Sequence, residues 1–157
     1  MRLSLRPADD QELAFCESLN RQNMCGYLAA RGIPWDAGRF LASWVEFENL
    51  VILAEFQLVG LLRLVPEQDA LGLRDLQIVP AHQGHGVGSW AVRQAQSIAA
   101  SRGFRRLQLR VYEGNPAQAL YARLGFKAES IMGGTVQMAW DVPPSRSFKT
   151  NPLLGSA

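Results

Sequence analysis

Two groups of residues in the second half of the chain have the types and spacing to do chemistry. The first is Gln83-Gly84-His85-Gly86-Val87-Gly88-Ser89. Glycines let backbone N–H groups turn outward and approach a ligand closely. A helix-periodic segment follows at once, so the loop opens a helix whose first turn adds unpaired N–H donors and about half a positive charge. That combination suits a phosphate. The P-loop pattern is absent, because no lysine follows these glycines. The dinucleotide pattern GxGxxG also fails, and about twenty positions on, where an acid would bind a ribose, the chain reads Phe104-Arg105-Arg106. By itself such a loop is equally a structural turn.

The second group is Asn115-Pro116, Tyr121 and Gly125-Phe126. Asn115 before Pro116 reads as an ordinary helix cap with proline at the first helical position. Tyr121 shares a face with Ala117, Leu120 and Leu124, so a packed core tyrosine is the natural reading. A core-anchored ring can still aim its hydroxyl at a cleft.

In this order, the two groups resemble the GNAT family of N-acetyltransferases. Gln83, Gly86 and Gly88 match the motif [Q/R]-x-x-G-x-[G/A] after a strand ending Leu76-Gln77-Ile78-Val79-Pro80. Asn115, Tyr121 and Gly125-Phe126 match the downstream signature. The likeness is best from about Val51 to Phe126, and the element order agrees from about Arg2 to Val142. It implies an acetyl-CoA-dependent N-acyltransferase, with acetyl-CoA as co-substrate and a primary amine attacking directly in a ternary complex. The amides of Gln83, Gly84, His85, Gly86, Val87, Gly88 and Ser89 would hold the coenzyme A pyrophosphate. Ile78 and Val79 would pair with the pantetheine arm, and a backbone N–H there would polarise the thioester carbonyl. Asn115 would bind the pantetheine region. Tyr121 would protonate the departing thiolate. A coenzyme A-binding module without turnover, and a structural domain with a coincidental loop, remain as alternatives.

The acceptor side is less marked. Asp75 is the leading candidate to take the amine's proton, directly or through water. The plainer reading is a carboxylate paired with Arg74. Glu46, Glu48 and Glu55 rank below it. Met24 and Tyr27, three apart on one helix face, and Trp35 are candidate substrate residues. They suit a small-molecule amine, a peptide N-terminus or a lysine, and equally a core. His82 and His85 are the only histidines. No cysteine or acid clusters with them, so no metal is expected. Arg123 is a candidate for a coenzyme A phosphate, with a solvated helix arginine as the plainer reading.

These residues need elements to position them. Alternation predicts a strand over Arg2–Arg6, and apolar runs predict a hairpin of Leu50–Ala54 with Leu58–Val65. A polar loop over Pro66–Ala70 leads to a strand over Leu71–Val79. A helix follows the glycine loop to about Ser101, then a strand over Leu107–Val111. Strand, crossover helix and strand imply a parallel pair. A helix after Pro116 and a hairpin around Gly133-Gly134 complete the order. The N-terminal helices read as about Leu13–Leu19, Met24–Ala30 and Ala37–Phe47. The expected fold is α/β of the α+β type, GNAT-like. It has a mixed, mostly antiparallel sheet with a central parallel splayed strand pair, flanked by helices. Residues 1–142 form a single acetyltransferase-like domain, and 143–157 a loose C-terminal tail.

Composition fits one domain of 157 residues. Sixteen Lys+Arg against 14 Asp+Glu leave a net charge of +2, too balanced for a nucleic-acid or membrane surface. No apolar stretch approaches the ~20 residues of a membrane helix, and the N-terminus lacks a signal-peptide core. A cytoplasmic, reduced protein is expected, with Cys16 and Cys25 as buried structural thiols. Homodimerisation is common in the resembling family and is neither shown nor denied by these residues.

Overall fold

Five antiparallel pairings and one parallel pairing join seven strands into a single sheet. The computed structural model describes residues 1–144. The elements are β1 (Leu3–Pro7), α1 (Leu13–Ala29), α2 (Ala37–Glu46), β2 (Glu48–Ala54), β3 (Gln57–Glu67), β4 (Ala70–Ile78), α3 (Val87–Ser101), β5 (Arg106–Tyr112), α4 (Ala117–Arg123), β6 (Lys127–Met132) and β7 (Thr135–Asp141). Sheet order is β1-β2-β3-β4-β5-β7-β6. This is the mixed, mostly antiparallel sheet with one parallel pair that the sequence predicts.

The parallel pair is short. Strands β4 and β5 pair only over Ala70–Arg106, Leu71–Leu107 and Gly72–Gln108. Both strands then run on without pairing to each other. A bulge in β4 accompanies the separation. Arg63 opposes Asp75 while Leu64 opposes Leu73, which leaves Arg74 as the extra residue. A bulge bends its strand and sharpens the local twist. It also resets the alternation. Leu71 and Leu73 lie in the core under α3, and beyond the bulge Leu76 and Ile78 pack on that same side. Asp75 and Gln77 are thereby turned to the face covered by α1. Unbroken alternation from Leu71 would drive both polar side chains into the apolar core.

The two faces are packed differently. On one, Val92, Ala95 and Ala99 of α3 press on Leu62, Leu64, Leu71 and Leu107. Small alanines at four-residue spacing let the helix lie close to the strands. On the other, Cys16 and Leu19 of α1 and Phe40 of α2 cover Val51 and Leu61. Each fully buried Leu, Val or Phe contributes roughly 1.5–3 kcal/mol.

Several sequence expectations change. The first two helices are one, because the polar run Asn20-Arg21-Gln22-Asn23 does not break α1. Asn20 and Asn23 face a polar site, so the segment lacks an apolar stripe and reads as a gap. Cys16 is buried as expected, but Cys25 is exposed. The polar loop at Pro66–Ala70 shrinks to a turn at Gln68-Asp69, with Pro66 inside β3. Pairing with β2 ends at Glu48–Leu64, so Pro66 is spared a ladder bond on that side. The final hairpin joins the sheet through β7, its second strand. The expectation of a loose tail falls largely on residues 145–157, outside the described residues.

Candidate active site

The gap between β4 and β5 opens into a cleft of about 970 Å³. Strand ends, α1, α4 and the glycine loop line it, with Asn23, Gln77, Ile78, Gln83, Gly88 and Tyr121 among the contributors. Antiparallel pairs alternate between hydrogen-bonded and non-hydrogen-bonded. Val79 N–H donates to Val59 O at 2.9 Å, so Val79 faces β3. The neighbouring pairs Gly60–Ile78 and Leu62–Leu76 are therefore the non-bonded kind. Ile78 and Leu76 point their N–H and C=O groups into the gap. This corrects the expectation for Val79, whose amide is already used across the sheet. It adds Leu76, which strand alternation two residues back from Ile78 could have found. The Ile78 carbonyl accepts from Asn23 Nδ2 and Gln83 Nε2, each at 3.0 Å. Its N–H stays directed at the gap.

The glycine loop sits at the mouth. Gly84 and Gly86 adopt left-handed φ values of 78° and 84°. A Cβ on either would meet no protein atom within 4 Å, so the space before them is open to a ligand. Gly86 precedes α3, and Trp90 N–H donates to Gly86 O at 3.0 Å. The first-turn amides of Val87, Gly88 and Ser89 have no partner one turn back. Val87 is buried against Ile78 and Ala91 and anchors the loop. His85 is exposed with Gln83, Gly84 and Gly86. The loop fits a phosphate group. Gly86→Val is expected to weaken binding of a phosphate-bearing ligand at least ~tenfold by calorimetry, because a β-branched residue resists left-handed φ and fills the open space. It should also cost about 1–2 kcal/mol of folding stability.

Tyr121 satisfies both readings of it. Its ring packs on Phe126 at 5.7 Å between centroids, and only 8% of the residue is exposed, yet it lines the cleft. Burial, with a smaller push from the Asp75 charge, raises its hydroxyl to about 12. It therefore carries its proton at neutral pH. Pro116 holds the N-cap position of α4, and Asn115 one residue before it accepts through Oδ1 from the N–H of Ala117, the first residue of the helix, at 2.9 Å. Its Nδ2 has no partner among the described residues, and it lines the cleft. Arg123 is exposed and does not line it.

Asp75 lies in a buried polar network. Its Oδ2 accepts from Asn20 Nδ2 at 2.6 Å and Arg63 Nε at 3.1 Å, and its Oδ1 from Gln77 Nε2 at 2.8 Å. One Oδ1 lone pair remains. The expected partner Arg74 instead holds Glu67 at 2.9 Å, since the bulge turns it away. Arg63 is the residue sequence reading missed. A lone arginine inside Leu61-Leu62-Arg63-Leu64-Val65 was its signal. Its guanidinium also lies 4.3 Å from the Phe40 ring centroid. Asn23 donates to Gln77 Oε1 at 3.0 Å and Trp35 Nε1 to Asn20 Oδ1 at 2.8 Å. Met24 and Tyr27 line the cleft, whereas Trp35 braces Asn20 from outside it. Glu46, Glu48 and Glu55 do not line it. Glu48 pairs with Arg102 at 2.7 Å, and Glu55 sits in the β2–β3 turn, accepting from Arg2 N–H at 2.9 Å. Among the described residues, no group of three or more His, Cys, Asp or Glu gathers as a metal site requires.

Comparison with known proteins identifies the family. The sequence profile of the Acetyltransferase (GNAT) family matches residues 11–126. The chain belongs to this family. It is thus a GNAT acyltransferase. A curated GNAT relative is the ribosomal protein bS18-alanine N-acetyltransferase of Haemophilus influenzae, 28% identical over 100 residues, which span 63% of this chain and 68% of the relative. The PaiA N-acetyltransferase of Thermoplasma acidophilum, solved with coenzyme A, superposes with a TM-score of 0.72 at 19% identity, covering 90% of this chain and 99% of that one. The spermidine N-acetyltransferase of Vibrio cholerae, solved with coenzyme A and spermine, gives 0.72 at 22% identity, covering 89% and 95%. Among the described residues of this GNAT chain, no helix is long and apolar enough to cross a membrane.

Proposed function

We propose that this GNAT chain transfers an acetyl group from acetyl-CoA to a primary amine by direct attack in a ternary complex. One observation carries the reading: β4 and β5 part beyond Gly72 and Gln108, with main-chain donors facing the gap, the glycine loop at its mouth and Tyr121 on its wall. Bound acetyl-CoA supplies an activated thioester. The amides from Gln83 to Ser89 bind its pyrophosphate, and the Leu76 and Ile78 amides line its pantetheine arm. Asn115 Nδ2 contributes a further donor there. Tyr121 carries the proton the leaving thiolate needs. Asp75 orients Asn20 and Gln77, and its remaining Oδ1 lone pair accepts the amine's proton through water. Residues 1–142 act as one catalytic domain.

The curated relative acts on an alanine of ribosomal protein bS18, and the Vibrio neighbour was solved with spermine. Peptide N-termini and small amines are therefore both within the proposed range. A coenzyme A-binding module without turnover is the competing reading. It is favoured by the cleft carboxylate Asp75 being held by three donors.

A thermal-shift titration and a thiol-release assay over an amine panel test this. Acetyl-CoA at ~100 times its dissociation constant should stabilise the fold by about 2.7 kcal/mol. Thiol release should then require an amine. A shift without release on any amine favours the module, and neither signal sinks both readings.

A further inference from the structure

The acceptor side of the cleft is unbalanced in charge. Arg39, Arg74 and Arg110 line it, and among the described residues Asp75 is the one carboxylate that does. Arg63 already neutralises Asp75 at 3.1 Å, and Glu67 holds Arg74 at 2.9 Å. The Glu67 carboxylate is further occupied by Gln108 Nε2 at 2.7 Å. Arg39 and Arg110 have no carboxylate partner among the described residues.

An exposed arginine is ordinarily only a solubilising group. Two placements set these apart. Arg39 stands in the first turn of α2, where the helix dipole disfavours a cation. Arg110 on β5 opposes Gln137 on β7 and so has no cross-strand ion pair. Neither arginine is ion-paired within its own element. Both border one cleft with low-dielectric walls, which focuses their field on whatever enters. The remaining polar lining on the α1 side, Gln22, Asn23, Tyr27 and Gln77, is neutral. A polycationic acceptor would meet like charge there and, among the described residues, no unpaired carboxylate.

Building on the acetyltransferase reading, we infer that the acceptor is an amine bearing a carboxylate near the reacting nitrogen, and that Arg39 and Arg110 bind that carboxylate. Guanidinium is suited to this because its planar fork meets both carboxylate oxygens. The same chemistry is offered by a free amino acid and by the N-terminus of an acidic peptide.

The test uses the full chain with acetyl-CoA and three matched acceptor pairs. They are glutamate against its diamide, in which both carboxylates are amides, the peptide Ala-Glu-Glu-Ala against Ala-Lys-Lys-Ala, and 4-aminobutyrate against spermidine. The anionic member of at least one pair should show kcat/KM at least ~tenfold higher, the worth of one charge-assisted hydrogen bond. That advantage should shrink as salt rises. The first and third pairs against the second distinguish a small acceptor from a peptide. Arg39→Gln and Arg110→Gln should each raise KM for the anionic acceptor about tenfold and leave the coenzyme A dissociation constant in place. Preference for the cationic or neutral members, or an unchanged KM in both variants, overturns the inference while leaving acetyl transfer intact. Coenzyme A binding without transfer to any acceptor overturns both.

Discussion

Tyr121→Phe is expected to lower kcat by about 10²- to 10⁴-fold, the usual worth of a positioned acid. Coenzyme A affinity should change little, because phenylalanine keeps the ring against Phe126. Calorimetric binding and steady-state kinetics together separate the two effects. Equal turnover in the variant would remove Tyr121 from the mechanism. The raised hydroxyl makes a second forecast. Its folded value of about 12 lies above the ordinary 10. The folded state therefore holds this proton more tightly than the unfolded chain. Its stabilising share is complete below pH 10 and is lost as pH climbs from 10 through 12. Two pK units correspond to about 2–3 kcal/mol. Alkaline unfolding should thus be less steep in Tyr121→Phe over that window. Within pH 6–9 Tyr121 should contribute no limb to the rate profile.

The second large effect concerns stability. Arg63→Met should destabilise the fold by about 3–5 kcal/mol, because it leaves the Asp75 charge buried without its partner. Arg63 and Asp75 are 4% and 8% exposed, so water cannot take over. Against a total near 5–15 kcal/mol that is a large fraction. Replacing both, as Arg63→Met with Asp75→Leu, should cost clearly less than the sum of the single changes. Urea unfolding of the four proteins measures the coupling. Simple additivity would mean the pair is not the unit described. The same pairing governs any test of Asp75 as a base. Asp75→Asn must be read at a temperature where the variant is shown to be folded, and an unchanged pH–rate profile there removes the base role.

Much of this architecture is legible because local rules agree with the fold. The run Leu50–Ala54 is apolar because β2 is covered on both faces, and alternation in Leu107–Val111 reflects one face under α3. The glycine loop declares itself because left-handed φ at Gly84 and Gly86 leaves little choice of residue. What stays hidden is non-local. The bulge at Arg74 has no marker in its own neighbourhood, yet it decides where Asp75 and Gln77 face. The continuity of α1 is obscured because Asn20 and Asn23 answer to β4 and not to helix amphipathicity. The exposure of Cys25 and the partner of Asp75 depend on packing that no short window contains. The insertion of β7 between β5 and β6 depends on a free sheet edge that only the assembled fold supplies.

A crystal structure of the chain with coenzyme A tests the central claim most directly. The pantetheine should lie between β4 and β5, taking hydrogen bonds from the N–H groups of Leu76 and Ile78, with its pyrophosphate against the amides that follow Gly84. A cofactor bound elsewhere, or strands closed on each other with those two amides paired, would contradict it.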